Sequence, residues 1–247
     1  MPNRGGIYPS VYGESLSPSK YAHQGATLKK GDLLKLANAH AFAAGRGKPL
    51  NAFLTLHWEL AGYGEDADHQ QIHDQLISQR LHHWLTRHHI PVAFIWVREK
   101  GLRKGVHTHL HLHLPREQGS FKPAPEWMSR LGRFLTESGR FQLQPGRADF
   151  PVVVKASWTE EASCKLLRYL GKNLDPTSRA LEAGRMVPIA GACGIRPELS
   201  LPVPGKLCGA SKSIGPSARR KVGWREMTSL TELRRYLPLS KPKGGNE

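Results

Sequence analysis

Residues 105–115 read Gly-Val-His-Thr-His-Leu-His-Leu-His-Leu-Pro, with a histidine at every second position from His107 to His113. A repeat of two belongs to a β-strand, in which alternate side chains share a face. The chain must therefore supply two environments to this one strand. Val106, Leu110, Leu112 and Leu114 need a core, and four imidazoles line up on the other side. Imidazole is the commonest protein metal ligand, and neighbouring histidines on one strand face can grip one ion. Six residues of extended chain separate His107 from His113 by about 20 Å, so those two cannot share an ion.

The segments around this strand define the fold expected. Residues 1 to about 28 are rich in Gly, Ser, Pro and Tyr without periodicity and read as a loose arm, followed by a short helix over Asp32 to Ala44. Asn51 to Glu59 alternates as a first strand. Asp66 to His88 places Ile72, Leu76, Ile77, Leu81, Trp84 and Leu85 on one helical stripe. Val92 to Glu99 forms a second strand, and a Lys-Gly-Leu-Arg-Lys-Gly turn over 100–105 pairs it with the histidine strand as a hairpin. A helix over Pro125 to Thr136 and a strand over Phe150 to Ala156 follow. Ser157-Trp158-Thr159-Glu160 then reads as a capping box for a helix running to about Asn173.

This order, β-α-β-β-α-β plus one helix, predicts an α+β protein of the split β-α-β, or ferredoxin-like, plan. Its antiparallel sheet carries helices on one face and leaves the other open for ligands. The organisation expected is an arm and short helix over 1–48, a catalytic domain over 49–175 and a basic extension over 176–247. One further helix is expected in that extension, near Ser229 to Tyr236, behind a second capping box.

Charge narrows the partner. The chain has 36 Lys and Arg against 20 Asp and Glu, a net charge of +16 that points to a polyanion and hence to nucleic acid. Residues 175–247 alone carry 13 basic against 6 acidic side chains. Within them, Arg219, Arg220 and Lys221 are candidate contacts to a nucleic-acid backbone. No run approaches the roughly 18 apolar residues of a membrane span. Three cysteines without C-x-x-C spacing argue against a disulfide framework or zinc ribbon and fit a reducing cytoplasm. Gly45-Arg46-Gly47-Lys48 lacks the spacing and the hydroxyl of a phosphate-binding loop, so an ATP-driven step would fall to another protein.

Two more segments bear on chemistry. Glu99 ends the strand paired with the histidines, where a carboxylate could complete a site of two histidines and one acid. His57 and Glu59 on the first strand are alternative third ligands. Tyr169, Lys172 and Asn173 stand at i, i+3 and i+4 on one face of the last core helix. Tyr236 is a rival nucleophile, but it lacks a lysine at i+3 and precedes Pro238.

Here the sequence resembles the HUH endonucleases, single-strand nickases that include rolling-circle replication initiators of the single-tyrosine type. The strand resembles their His-hydrophobic-His motif, Phe53-Leu54-Thr55-Leu56 their first motif, which marks Thr55 as a nucleic-acid-binding position, and Tyr169-Leu170-Gly171-Lys172 their Tyr-x-x-Lys motif. The resemblance covers roughly residues 50 to 175. Thr108 departs from the pattern. The family register favours His107 and His109 as ligands, with His109 and His111 as the alternative pair.

The resemblance implies nicking and joining of DNA. Tyr169 would attack the scissile phosphate with Lys172 beside it, at a Mg²⁺ or Mn²⁺ ion held by His107, His109, Glu99 and, as a further participant, His111. The substrate would be a single-stranded replication origin of a plasmid or phage, with a host helicase and polymerase as partners. The competing classes are a non-catalytic nucleic-acid-binding module of the same fold and a His-metal hydrolase that uses water.

Overall fold

A computed structural model describes residues 27–64, 68–101, 105–137, 152–198 and 200–237. The N-terminal arm before Thr27, the tip of the 100–105 turn and the expected starts of the Asp66 helix and the Phe150 strand lie outside these residues. Helix α1 (Lys30–Gly45) precedes strand β1 (Ala52–His57). Helices α2 (His69–His73) and α3 (His82–Arg87) are joined by a π-wound segment, Asp74–Leu81, and form the long helical run expected there. Strands β2 (Phe94–Gly101) and β3 (Gly105–Leu112) form the hairpin, followed by α4 (Pro125–Glu137), β4 (Val152–Ala156) and α5 (Glu160–Leu170). The cap of α5 is Thr159, whose hydroxyl accepts from the Ala162 amide, so Ser157 is not the capping residue.

The protein is α+β, with a five-stranded sheet in the order β4-β1-β3-β2-β7, where β7 is the late strand Cys208–Ala210, and every neighbouring pair is antiparallel. The central position of β3 answers the demand made by its sequence. All eight of its residues are buried, with β1 on one side and β2 on the other.

One face of the sheet carries Leu54, Leu56, Phe94, Trp96, Val106, Leu110 and Leu112 under the α2–α3 run and α4. Thr108 lies on that face too. Its hydroxyl accepts the Trp58 indole N–H at 3.0 Å and sits 3.4 Å from Nδ1 of His73, which gives the one polar residue of the apolar row a polar neighbourhood.

The histidine face is not open. Leu33, Leu36 and Phe42 of α1, Leu167 and Leu170 of α5, and Leu230 and Leu233 of α8 (Leu230–Tyr236) pack against Phe53, Ile95 and Val97. The basic tail supplies much of this cover. After a small hairpin, β5 (Arg179–Glu182) with β6 (Arg185–Pro188), come α6 (Ile189–Ala192), edge strand β7 (Cys208–Ala210) and α7 (Pro216–Lys221). Helix α8 is capped by Ser229 and Glu232 as the sequence predicts. No helix among the described residues is long and apolar enough to cross a membrane. Cys164, Cys193 and Cys208 are free and buried.

The burial of the helix-covered sheet face is testable by deletion. Leu110→Ala, at the centre of the helix-covered face, should cost about 2–5 kcal/mol of unfolding free energy. Leu181→Ala should stay within about 0.5 kcal/mol, because that side chain is 68% exposed. Similar losses for both in urea denaturation would contradict the assignment.

Candidate active site

The register of the β2–β3 hairpin builds the site. Gly101 pairs with Gly105, and counting back from that turn sets Glu99 directly opposite His107 and Val97 opposite His109. Gly105 has φ +61°, and the carboxylate of Glu59 occupies the place a Cβ would take there while accepting the Val106 amide at 3.1 Å. Glu59 therefore fixes the start of β3 through its backbone. Glu99, His107 and His109 bring ligand atoms within 4.8 Å of one another, and all three residues are buried.

Both rings have their Nδ1 atoms engaged outside the cluster. Nδ1 of His107 faces the Gly105 carbonyl at 3.0 Å; a carbonyl only accepts, so Nδ1 carries the hydrogen. Nδ1 of His109 is engaged by the Thr55 hydroxyl at 2.9 Å. Both Nε2 atoms then point at Oε1 of Glu99, at 2.5 Å from His107 and 2.9 Å from His109. Burial holds His109 down at about 4, so its ring is neutral near pH 7. Burial pushes the Glu99 carboxyl up, but hydrogen bonding to His107 and His109 outweighs it and keeps the group well below the carboxylate range.

When Nδ1 of His107 holds the only ring hydrogen, its Nε2 lone pair is free to ligate an ion set against the Glu99 carboxylate. Ligating histidines typically spend their other nitrogen on a carbonyl or similar partner. The residues present thus fit a metal ion in donor type and in supporting contacts.

Lys172 lies in the short 3₁₀ turn Gly171–Asn173 that follows α5. Its ammonium is 2.6 Å from Glu99 Oε1, 3.0 Å from Glu198 Oε2 and 3.2 Å from the Tyr169 hydroxyl. Burial works against the ammonium, yet the Glu99 charge prevails and raises its pKa above the usual lysine value. Gly171 allows this approach, since a Cβ there would stand 2.9 Å from Ile195 Cδ1. Tyr169 packs edge-on against His109 and Phe53, with ring centroids 5.1 and 5.8 Å away. The residue remains 40% exposed, beside a buried cluster of charge.

Other expected residues fall elsewhere. His111 is buried away from the cluster, 3.5 Å from the Ser163 hydroxyl, which also meets His40 Nε2 at 2.7 Å. His40 Nδ1 in turn meets the Tyr236 hydroxyl at 2.5 Å, so Tyr236 is tied into the interior. The ring of His57 lies 5.3 Å from that of His107. Arg219 is 1% exposed, bonded to Glu226 and the Ile214 carbonyl, and turned from solvent; Arg220 and Lys221 are exposed. Glu198, in irregular chain after α6, carried no sequence signal, and its contact with Lys172 comes from tertiary structure alone.

Comparison with protein-family models, with curated proteins and with solved structures gave no match.

Two outcomes follow from this geometry. Thr55→Val should weaken Mn²⁺ binding, read by isothermal titration calorimetry, by about 10–100-fold, and Glu99→Gln should weaken it more; unchanged affinity in both would remove the ion from this site. The second concerns acid. Burial holds His40 down at about 4, whereas the unfolded chain titrates near 6.5. Between these values the unfolded state takes up a proton that the folded state refuses, so stability is full above about pH 6.5 and falls toward pH 4. His40→Asn should remove about 1.4 kcal/mol per pH unit from that slope, and a slope equal to that of the parent would show His40 already charged in the fold.

Proposed function

We propose that this protein is a metal-dependent enzyme that nicks and rejoins single-stranded DNA by tyrosine transesterification. It would be an HUH-type, single-tyrosine initiator of rolling-circle replication. One observation carries the reading. The Tyr169 hydroxyl lies 3.2 Å from the Lys172 ammonium, and that ammonium lies 2.6 Å from the carboxylate shared by His107 and His109. A nucleophile, a fixed positive charge and a metal-capable triad thus stand in contact. The strand order β4-β1-β3-β2 supports the ferredoxin-like description, in which β3 inserts between β1 and β2.

Tyr169 Oη attacks phosphorus as the phenolic proton is lost. The bond to the 3′-oxygen breaks, and that oxygen leaves as a 3′-hydroxyl once protonated. The 5′-phosphate stays on Tyr169 as a diester, so the reverse attack reseals the strand without ATP. Lys172 stays charged near neutral pH, and its part is to stabilise the phenolate and the phosphate oxygens electrostatically. Glu99, His107 and His109 would hold the ion, with Thr55 and the Gly105 carbonyl orienting the rings. A bound divalent ion supplies Lewis-acid polarisation of the phosphate, with Mn²⁺ suited to mixed His/carboxylate ligation and Mg²⁺ favoured by availability. Of the cluster Arg219, Arg220 and Lys221, the exposed Arg220 and Lys221 would contact DNA. Replication from the nick would recruit a host helicase and polymerase.

The test is covalent capture. With a pool of single-stranded oligonucleotides and Mn²⁺, the parent should give a protein–DNA adduct on a denaturing gel, and Tyr169→Phe should give none. An adduct that persists in Tyr169→Phe would falsify the assignment, and cleavage without an adduct would favour a hydrolase. Lys172→Ala should slow adduct formation by about 10²–10³-fold while leaving Mn²⁺ binding in place.

A further inference from the structure

His113 is the one histidine of the row that neither the metal cluster nor the His40–Ser163 contacts use. It lies about 20 Å along the strand from His107 and is only 7% exposed. Its Nδ1 faces the Pro49 carbonyl at 2.9 Å and so carries the hydrogen. Nε2 has no partner among the described residues. The side chain lines an open cleft of about 610 Å³ together with Gly47, Arg116, Glu117, Ser120 and Phe121.

The electrostatics of the cleft select an anion. Burial and then the charges of Arg116 and Lys48 hold the His113 pKa below its ordinary value, only partly offset by the bond to Pro49. Glu117 lines the same cleft, but Lys122 stands 3.5 Å from its carboxylate and offsets the charge. The only metal-capable grouping among the described residues is the one at Glu99. Arg116 and a buried imidazole, in the positive field of Lys48 and beside a compensated carboxylate, are a setting for an oxyanion.

The rim says which oxyanion. The Lys122 ammonium that meets Glu117 also lies 5.4 Å over the ring of Trp158, an indole that is 68% exposed. A free phosphate has no use for an exposed indole, whereas a single strand presents a base next to every phosphate. We propose that His113 and Arg116, in the positive field of Lys48, form a phosphate subsite for single-stranded nucleic acid, with Trp158 as the stacking platform for an adjoining base.

The inference rests on the nucleic-acid reading above but not on the chemistry of Tyr169. An incoming phosphate supplies the negative charge His113 lacks, so binding takes up a proton there and tightens as pH falls.

The experiment uses full-length Tyr169→Phe protein, which cannot trap DNA, and fluorescein-labelled oligothymidine read by anisotropy across a salt series. Arg116→Ala should weaken binding and make the slope of log K against log salt shallower by about 0.7. Trp158→Ala should weaken binding about tenfold with the slope unchanged. His113→Gln should abolish the tightening between about pH 8 and pH 6. Arg116 and Trp158 are exposed, so their variants remain informative if His113→Gln fails to fold. Parent-like affinity and slope in both exposed variants overturn the proposal. So does competition by inorganic phosphate, at constant ionic strength, that fails to separate the parent from Arg116→Ala. Loss of DNA binding in Arg116→Ala alongside a parent enzyme that forms no adduct would keep the subsite and remove the nickase.

Discussion

The carboxylate of Glu99 is the group on which the arrangement depends. A buried carboxylate without partners costs several kcal/mol, and Glu99 is buried at the end of an interior strand. Three nitrogens from two other elements converge on its Oε1, two from β3 and one from the turn after α5. The first two come with the hairpin register and need no tertiary structure beyond it. The third requires that α5 be docked at the right height on the sheet. The carboxylate that could hold an ion is therefore also the contact that draws Tyr169 to that ion.

This coupling explains why the interior above the histidine row is so polar. Helix α5 crosses β3 near His111, and there Ser163 bonds the Leu50 carbonyl and meets His40, which reaches Tyr236 on α8. Networks of this kind are strong when every member is satisfied and costly when one is not. They favour one alignment of α5 over a sliding set. A helix held only by Leu167 and Leu170 could shift along its apolar stripe, but one held at Ser163 and again at Lys172 cannot shift without breaking both. The four histidines thus divide by neighbourhood: two face the carboxylate, one packs under α5, and one faces the far cleft.

Much of this was legible from the sequence because it follows from short-range periodicity. The alternation at 105–115 set the strand and its two faces, and the hairpin placed Glu99 at the end of the strand paired with it. The spacing of Tyr169 and Lys172 put them together. What was not legible depends on contacts distant in sequence. Nothing in Cys208-Gly209-Ala210 marks a strand, because three small residues show no alternation; β7 exists because β2 offers it an edge. The closing of the histidine face followed from α1 and the tail, whose composition marks a basic appendage on the core without fixing the face it covers. Arg219 looked like part of a basic cluster, yet its place on α7 turns it to Glu226 and the Ile214 carbonyl. His111 shared the row of the ligands, and only the position of Ser163 shows that its partner is a helix.

The same row has a further consequence at the level of the whole sheet. Because a strand is straight, residues of one face mark positions along a line, and here the line runs from a metal-capable triad to a cationic cleft with the covering helices between them. On the β1 side of that line, β4 leaves Lys155 exposed opposite Phe53. Ligands on a single rigid strand keep a fixed separation, unlike ligands on separate loops. If one phosphate is seated at His113, the chain length between it and the phosphate facing Tyr169 is then set by the strand and not by the conformation of the ligand. On the proposed reading, a fixed separation of this kind would select the reacting phosphate by measured distance in addition to base identity.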